Sequence, residues 1–404
     1  SPAIGSDGVI YFSSMDNYIY ALNGQTGELV WKYFMEEKGF DDRWASGSIS
    51  SPVISDDGTL YIGSPDGKIY ALKTSSTGPA DSSWPMFGQN AQRTGRVPEP
   101  EPDPLTYKAE GDKVTITDCD ESYEGELVIP SSYQGKPVTK IGDWSFKDCR
   151  NLTSVVIPDS VTSIGGQAFD QCHKLTNLNI PNSVKNIGQR AFASCYSLTS
   201  VVIPKSVINI EQGVFSFGKN LKNISVEEGN LNYSSKGGVL FDKGNTLLIQ
   251  YPSAKNEQHY SIPSTVKRVE TRAFSGCNLL VSVTLPNSVT SLGWEAFQFC
   301  ENLKSVALPE GINLEEGAAF RNCYSLTDIT IPSGVTKIGD WSFIDCRNLT
   351  SVVIPNSVSF IGKHAFHKTK LTSVTIPNPQ CQIDENAFDE GVEIIRSYYD
   401  APLT

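Results

Sequence analysis

Ten phenylalanines constrain this chain more than any other feature. Phe146, Phe169, Phe192 and Phe215 are spaced 23 residues apart, and so are Phe274, Phe297, Phe320, Phe343 and Phe366. Phe388 follows 22 residues later. Cys149, Cys172, Cys195, Cys277, Cys300, Cys323 and Cys346 each lie three residues after one of these rings. A fixed period of this length is the mark of a solenoid, in which each repeat is one coil and stacking supplies the core.

One copy shows how a coil would form. Leu152, Val155 and Ile157 give a short strand with one inward face. Pro158 ends it, because proline offers no N–H to a ladder. Val161 and Ile164 point inward again, and Gly165 permits a bend. Ala168, Phe169 and Cys172 return the chain through a compact turn or a helical fragment. Stacked at about one strand spacing, roughly 4.8 Å per coil, like residues would line up as ladders of Phe, of Cys and of Leu/Val/Ile. The fold class is therefore mainly β, a parallel solenoid.

The run L-x-x-V-x-I-P-x-S-V-x-x-I-G-x-x-A-F-x-x-C, read from Leu152 to Cys172, resembles the leucine-rich repeat of BspA-type bacterial surface antigens. The resemblance covers about three quarters of the chain. It implies a curved parallel-β solenoid on a bacterial cell surface, used for attachment to host matrix proteins or other microbes. An interruption fits the same pattern. Phe215 and Phe274 are 59 residues apart, one period plus 36. The extra segment, near 227–260, carries Gly238-Val239-Leu240-Phe241 and Leu247-Leu248-Ile249 around Asp242-Lys243-Gly244-Asn245, which predicts a β-hairpin. An insert of this kind is similar to one that recurs in that family. Lys140–Pro158 and Lys337–Pro355 differ only at Lys147 against Ile344, the trace of a duplication that copied exposed residues as well as core ones.

The N-terminal region carries a different repeat. Ser1-Pro2-Ala3-Ile4 through Tyr11-Phe12 matches Ser51-Pro52-Val53-Ile54 through Tyr61-Ile62, and Ile19-Tyr20-Ala21-Leu22 matches Ile69-Tyr70-Ala71-Leu72, at an offset of 50. Alternating strands with Asp-Gly turns at this period predict propeller blades. The pattern, ending at Thr26-Gly27 and Trp31, resembles the blades of pyrroloquinoline-quinone-type propellers. Two blades do not close a ring of roughly four to eight. The ring is expected to be completed upstream, or by another copy through self-association of the unclosed blades. Trp84 to Arg96 would be the closing segment. No quinone or other cofactor is expected.

The predicted organisation is thus two blades at 1–96, a Pro/acidic spacer at 97–104, a solenoid cap at 105–139, leucine-rich repeats at 140–396 and a tail at 397–404. The alternation of Pro98, Pro100, Pro102 and Pro104 with acidic residues favours an extended spacer. Composition narrows the function. A net charge of −12 argues against a nucleic-acid partner, whose footprint is basic. No apolar run is long enough for a membrane helix. Nine cysteines, without a C-x-x-C pair, read as buried thiols at a core position rather than disulfides or metal ligands.

No nucleophile–base pairing stands out. His364 and His367 flank Phe366 on a turn, lack a third ligand and read as solvated imidazoles. Two sets of residues are candidates for partner binding. Thr153, Thr176, Thr199, Thr327, Thr350 and Thr372 begin the outward face of successive strands. They form either an adhesive sheet or simply a pleated surface that suits threonine. Trp144 and Trp341 occupy the position two before the repeat Phe, a variable column, and Trp294 lies beside a third. Exposed aromatics favour interfaces; alternatively each indole lies over the neighbouring coil. The expected function is non-enzymatic recognition at the cell surface or outside the cell, of a protein or glycan on a host, matrix or neighbouring cell. The alternatives are a targeting arm for a quinoprotein-like enzyme upstream, and a structural or self-assembling spacer.

Overall fold

The computed structural model describes residues 2–14, 16, 18–35, 51–63, 68–77 and 103–396. The proposed closing segment Trp84–Arg96, most of the spacer and the tail at 397–404 lie outside them. The chain divides into two compact units, 1–103 and 104–404.

In the first unit, strands Ala3–Ile4, Val9–Ser13, Tyr18–Asn23 and Leu29–Phe34 form an antiparallel meander. Val53–Ile54, Thr59–Gly63 and Ile69–Lys73 form a second one. Both sheets bury one face in a common core of Ala3, Tyr11, Ile19, Ala21, Ile54, Leu60 and Ile62.

In the second unit the 23-residue coils stack as the spacing predicts. Most coils contribute two short strands, and like strands of neighbouring coils pair in parallel in a series of short sheets. Leu152–Val156 sits between Gly125–Val128 and Asn177–Leu178. Ser163–Ile164 sits between Lys136–Ile141 and Asn186–Ile187. Inward Leu, Val and Ile residues fill the interior throughout. The repeat Phe rings form a dry column. Phe146, Phe169 and Phe192 stack at centroid separations of 4.7 and 5.3 Å. From Phe297 to Phe388 the steps are 5.2–5.4 Å, with planes within 8°. Removing one such ring costs about 3–5 kcal/mol, because its neighbours are held apart by the coil spacing.

The return segment around each Phe is a chain of turns; among the described residues none of it is helical. The reason is a left-handed backbone at two positions per coil. The residue two before Phe has φ +61° at Trp144, +55° at Arg190 and +56° at Trp341. The residue two after has φ +63° at Asp148, +54° at Phe299 and +57° at Asp345. This geometry points alternate N–H groups along the stack. Trp144, Phe146 and Asp148 donate to the carbonyls of Gly166, Ala168 and Asp170 in the next coil. The turn is thus a third hydrogen-bonded ladder, added to the pairing of the first and of the second strands.

Two repeat residues have roles the sequence did not disclose. The cysteines are free and buried, but they are more than small apolar fillers. Cys172, Cys195, Cys300, Cys323 and Cys346 each donate the thiol to the carbonyl of the Phe in the preceding coil, at 3.1–3.2 Å. Gly165 does not serve as a bend. Its φ is not left-handed, and a Cβ there would meet the Gly142 carbonyl carbon at 2.5 Å and the Asp143 nitrogen at 2.6 Å. Gly188, Gly293, Gly339 and Gly362 are crowded in the same way, so this glycine lets adjacent coils touch backbone to backbone.

The 36-residue insert divides the ring column into two runs, Phe146–Phe215 and Tyr251–Phe388. Tyr233–Lys236, Val239–Asp242 and Leu247–Gln250 form an antiparallel meander whose last strand pairs in parallel with Arg268–Val269. Tyr251, 23 residues before Phe274, takes a ring position and stacks on Phe274 at 5.0 Å. At the first coil, the hairpin Leu105–Glu110 and Lys113–Cys119 covers the stack by pairing with Lys136–Ile141. Glu393–Arg396 pairs with Ser373–Ile376 at the other end.

Candidate binding surface

The two strands of a coil each carry one outward face, and the turn carries a third. The threonine candidates lie on the first-strand face. Thr176, Thr199, Thr327, Thr350 and Thr372 are exposed and Thr153 is half-buried. Several hydroxyls are already engaged within the stack. Thr176 donates to the Thr153 carbonyl at 3.1 Å, and Thr350 to the Thr327 carbonyl at 3.2 Å. Thr327 donates to the Asp328 carboxylate at 2.8 Å. Thr199 and Thr372 have Lys222 and Glu393 as next neighbours, so the strip is interrupted. The same face exposes Val128, Val156, Val202 and Val353.

The tryptophans lie where the second strand enters the turn. The structure brings Trp294 and Trp341 together, edge to face with centroids 5.5 Å apart. Both are half-buried, and Trp294 borders a cleft of about 230 Å³ lined also by Glu315, Lys337, Asp340 and Phe360. Trp144 is not part of this pair. It is 57% exposed and borders a separate cleft of about 370 Å³. The near-identical coils of Trp144 and Trp341 therefore present the same residue differently, because their neighbours differ.

Trp144 and Trp341 share their column with a charge network. Arg272 Nη2 lies 2.6 Å from Glu295 Oε2, and Arg321 Nη1 lies 3.2 Å from Glu295 Oε1. Gln298 donates to the same carboxylate at 2.9 Å. Arg190 pairs with the buried Asp170 at 3.1 Å. Burial pushes the Asp170 carboxyl above its ordinary range, against the pull of Arg190. The residues two before each Phe are thus not a freely variable surface. All but Asn386 hold left-handed positions, and Arg190, Arg272 and Glu295 are packed ions.

The turn carries a further surface that was not read from the sequence. His173 stacks on Tyr196 at 4.3 Å, and Lys219 Nζ lies 4.3 Å over the same ring. Phe217 meets Phe299 edge-on at 5.9 Å, Phe299 meets Tyr324 at 6.3 Å, and the Arg347 guanidinium lies over Tyr324 at 5.0 Å. These residues occupy the positions two and four after the repeat Phe, so aligning those columns would have found them. His364 and His367 are half-buried rather than solvated. Their rings are 5.0 Å apart, and His367 Nδ1 lies 2.8 Å from Asp389 Oδ1. Among the described residues no cluster of three or more His, Cys, Asp or Glu is arranged to hold a metal ion. Among the described residues there is no helix long and apolar enough to cross a membrane.

Comparison with known proteins gives a concordant picture. The family model described as BspA type leucine-rich repeat region matches residues 135–247, 251–316 and 267–395. No curated protein matches. Among solved structures, the pneumococcal vaccine antigen PcpA is similar over 74% of this chain and 93% of its own, at 22% identity and a TM-score of 0.62. A leucine-rich repeat protein from Eubacterium ventriosum is similar over 89% of this chain and 98% of its own, at 24% identity and a TM-score of 0.57. At these identities the two structures speak for the fold alone.

Proposed function

The chain belongs to the BspA-type leucine-rich repeat family, and from that premise we propose that it is a non-enzymatic recognition module, displayed at the cell surface or released outside the cell. The partner is a protein or glycan on a host, a matrix or a neighbouring cell. One observation carries this reading: the indoles of Trp144 and Trp294 border open clefts, and Trp341 packs edge to face on Trp294, on a stack whose backbone ladders fix the frame before any partner arrives. Preformed aromatic contacts on a rigid frame lower the ordering loss on association. The two N-terminal meanders are proposed as propeller blades that space or present the solenoid.

The test is binding of the full chain to immobilised matrix proteins, with Trp294→Ala/Trp341→Ala as the variant. Removing two interface aromatics is expected to weaken binding by about 2 kcal/mol or more, roughly thirtyfold, with the melting temperature little changed. Wild-type affinity in that variant removes the pair from the binding surface.

A further inference from the structure

We propose that the cleft beside Trp144 is a saccharide subsite that takes one neutral pyranose ring of a glycan. The assignment rests on the recognition reading above and names the ligand chemistry of one of its clefts.

The argument starts from a comparison the molecule makes with itself. Lys140–Pro158 and Lys337–Pro355 are copies differing at one position, so their tryptophans begin from the same local sequence. Both are held left-handed, at φ +61° and +56°. In the second copy Trp341 packs on Trp294, with Phe360 and Lys363 in the next coil. In the first copy the corresponding residues are Ser163 and Gly166, and no aromatic ring among the described residues contacts Trp144. One face of an indole thus borders an open cleft.

Gly166 is the informative residue. Its neighbour Gly165 is demanded by the fold, since a Cβ there would collide with the preceding coil. Gly166 is not: its φ is not left-handed, and a Cβ would meet nothing closer than the Gln189 carbonyl oxygen at 3.5 Å. The array itself accepts lysine at this place in Lys363. The glycine leaves the floor of the cleft bare where the backbone does not require it.

The walls are polar and prearranged. Asp143 Oδ1 accepts the Gly166 N–H at 2.8 Å, and Glu211 Oε2 accepts the Gln189 N–H at 2.9 Å. Each carboxylate is fixed through one oxygen and keeps the other as an acceptor for a hydroxyl. Gln167, Asn186 and Gln189 add side-chain amides. A pyranose has an apolar face of C–H groups that suits an indole, and a rim of hydroxyls that suits carboxylates and amides. A peptide anchor would call for an enclosed apolar pocket, and this cleft is open and mostly polar. Lys140 against Asp143 and Glu211 leaves one negative charge in excess, which disfavours an anionic sugar.

Saturation-transfer difference NMR on the full chain tests this, with lactose, cellobiose and N,N′-diacetylchitobiose as probes and 3′-sialyllactose as the anionic comparison. Transfer to ring C–H protons of at least one neutral disaccharide is expected. It should be lost in Trp144→Ala, reduced in Trp144→Phe and lost in Gly166→Lys, which installs the residue of the second copy. Each variant should melt like the wild type. No transfer from any neutral probe overturns the proposal, as does undiminished transfer in Trp144→Ala or Gly166→Lys, or stronger binding of the sialylated sugar. If matrix-protein binding survives while no sugar binds, only the saccharide subsite fails; loss of both overturns the recognition reading as well.

Discussion

Adjacent glycines with opposite demands give a sharp test of how the coils touch. Gly165 and Gly166 differ by one position, and neither has a left-handed φ, so backbone strain does not distinguish them. What separates them is space. A methyl on Gly165 would lie 2.5 Å from both the Gly142 carbonyl carbon and Asp143 Oδ1, and 2.6 Å from the Asp143 nitrogen. Backbone atoms have no rotamer by which to retreat, so coils one and two must part locally. Overpacking of this kind costs about 1–3 kcal/mol, and contact with backbone places Gly165→Ala at the upper end. At about 2–4 °C of melting temperature per kcal/mol, a cost of about 3 kcal/mol should lower melting by about 6–12 °C. Gly166→Ala meets only ordinary van der Waals distances and restricts the unfolded chain, so it should be neutral or gain about 0.4–1 kcal/mol. Thermal unfolding followed by circular dichroism separates the two, and amide hydrogen exchange at Gly165, which donates to the Ile141 carbonyl, localises the damage. Equal melting of the two variants would refute the claim that this column is crowded by the preceding coil.

Two further predictions follow from buried groups. All nine thiols are buried, and burial raises those of Cys195 and Cys346, so the native chain should react with Ellman's reagent at none of them and the denatured chain at all nine. Rapid native reaction would show that the stack opens. Asp170 sets a slope with pH. Its folded pKa is raised, so between the unfolded value of about 3.9 and the raised one the native state binds more protons. Stability contributed by this group therefore falls as pH rises through that window and is level above it. Asp170→Asn should remove that component from urea unfolding measured across the window, and identical slopes in the two proteins would place the titration elsewhere.

The stack was legible in the sequence because periodicity reports burial directly. Phe at every twenty-third residue must meet its own kind above and below, and Leu152, Val155 and Ile157 could face only inward. The turn was not legible to the same degree. Its left-handed positions accept Trp144, Arg190, Glu295 and Ala318 alike, because what they share is a backbone angle rather than a side-chain property. Tyr251 escaped notice as a ring of the column because the insert breaks the count before it. Gly165 looked like a hinge because glycine signals both freedom and proximity, and only the neighbouring coil shows which.

The same reasoning explains why the surface was harder to read than the core. In a ladder-built protein each core residue answers to copies of itself, so one repeat predicts the next. An outward residue answers to whatever the adjoining coils carry. Trp144 and Trp341 come from nearly the same nineteen residues, yet one is 57% exposed beside Gly166 and the other is packed on Trp294. Duplication therefore multiplies a frame without multiplying a site. A new binding surface arises when a coil changes beside a copied residue, and those one-coil-away neighbours are where differences in specificity should be sought.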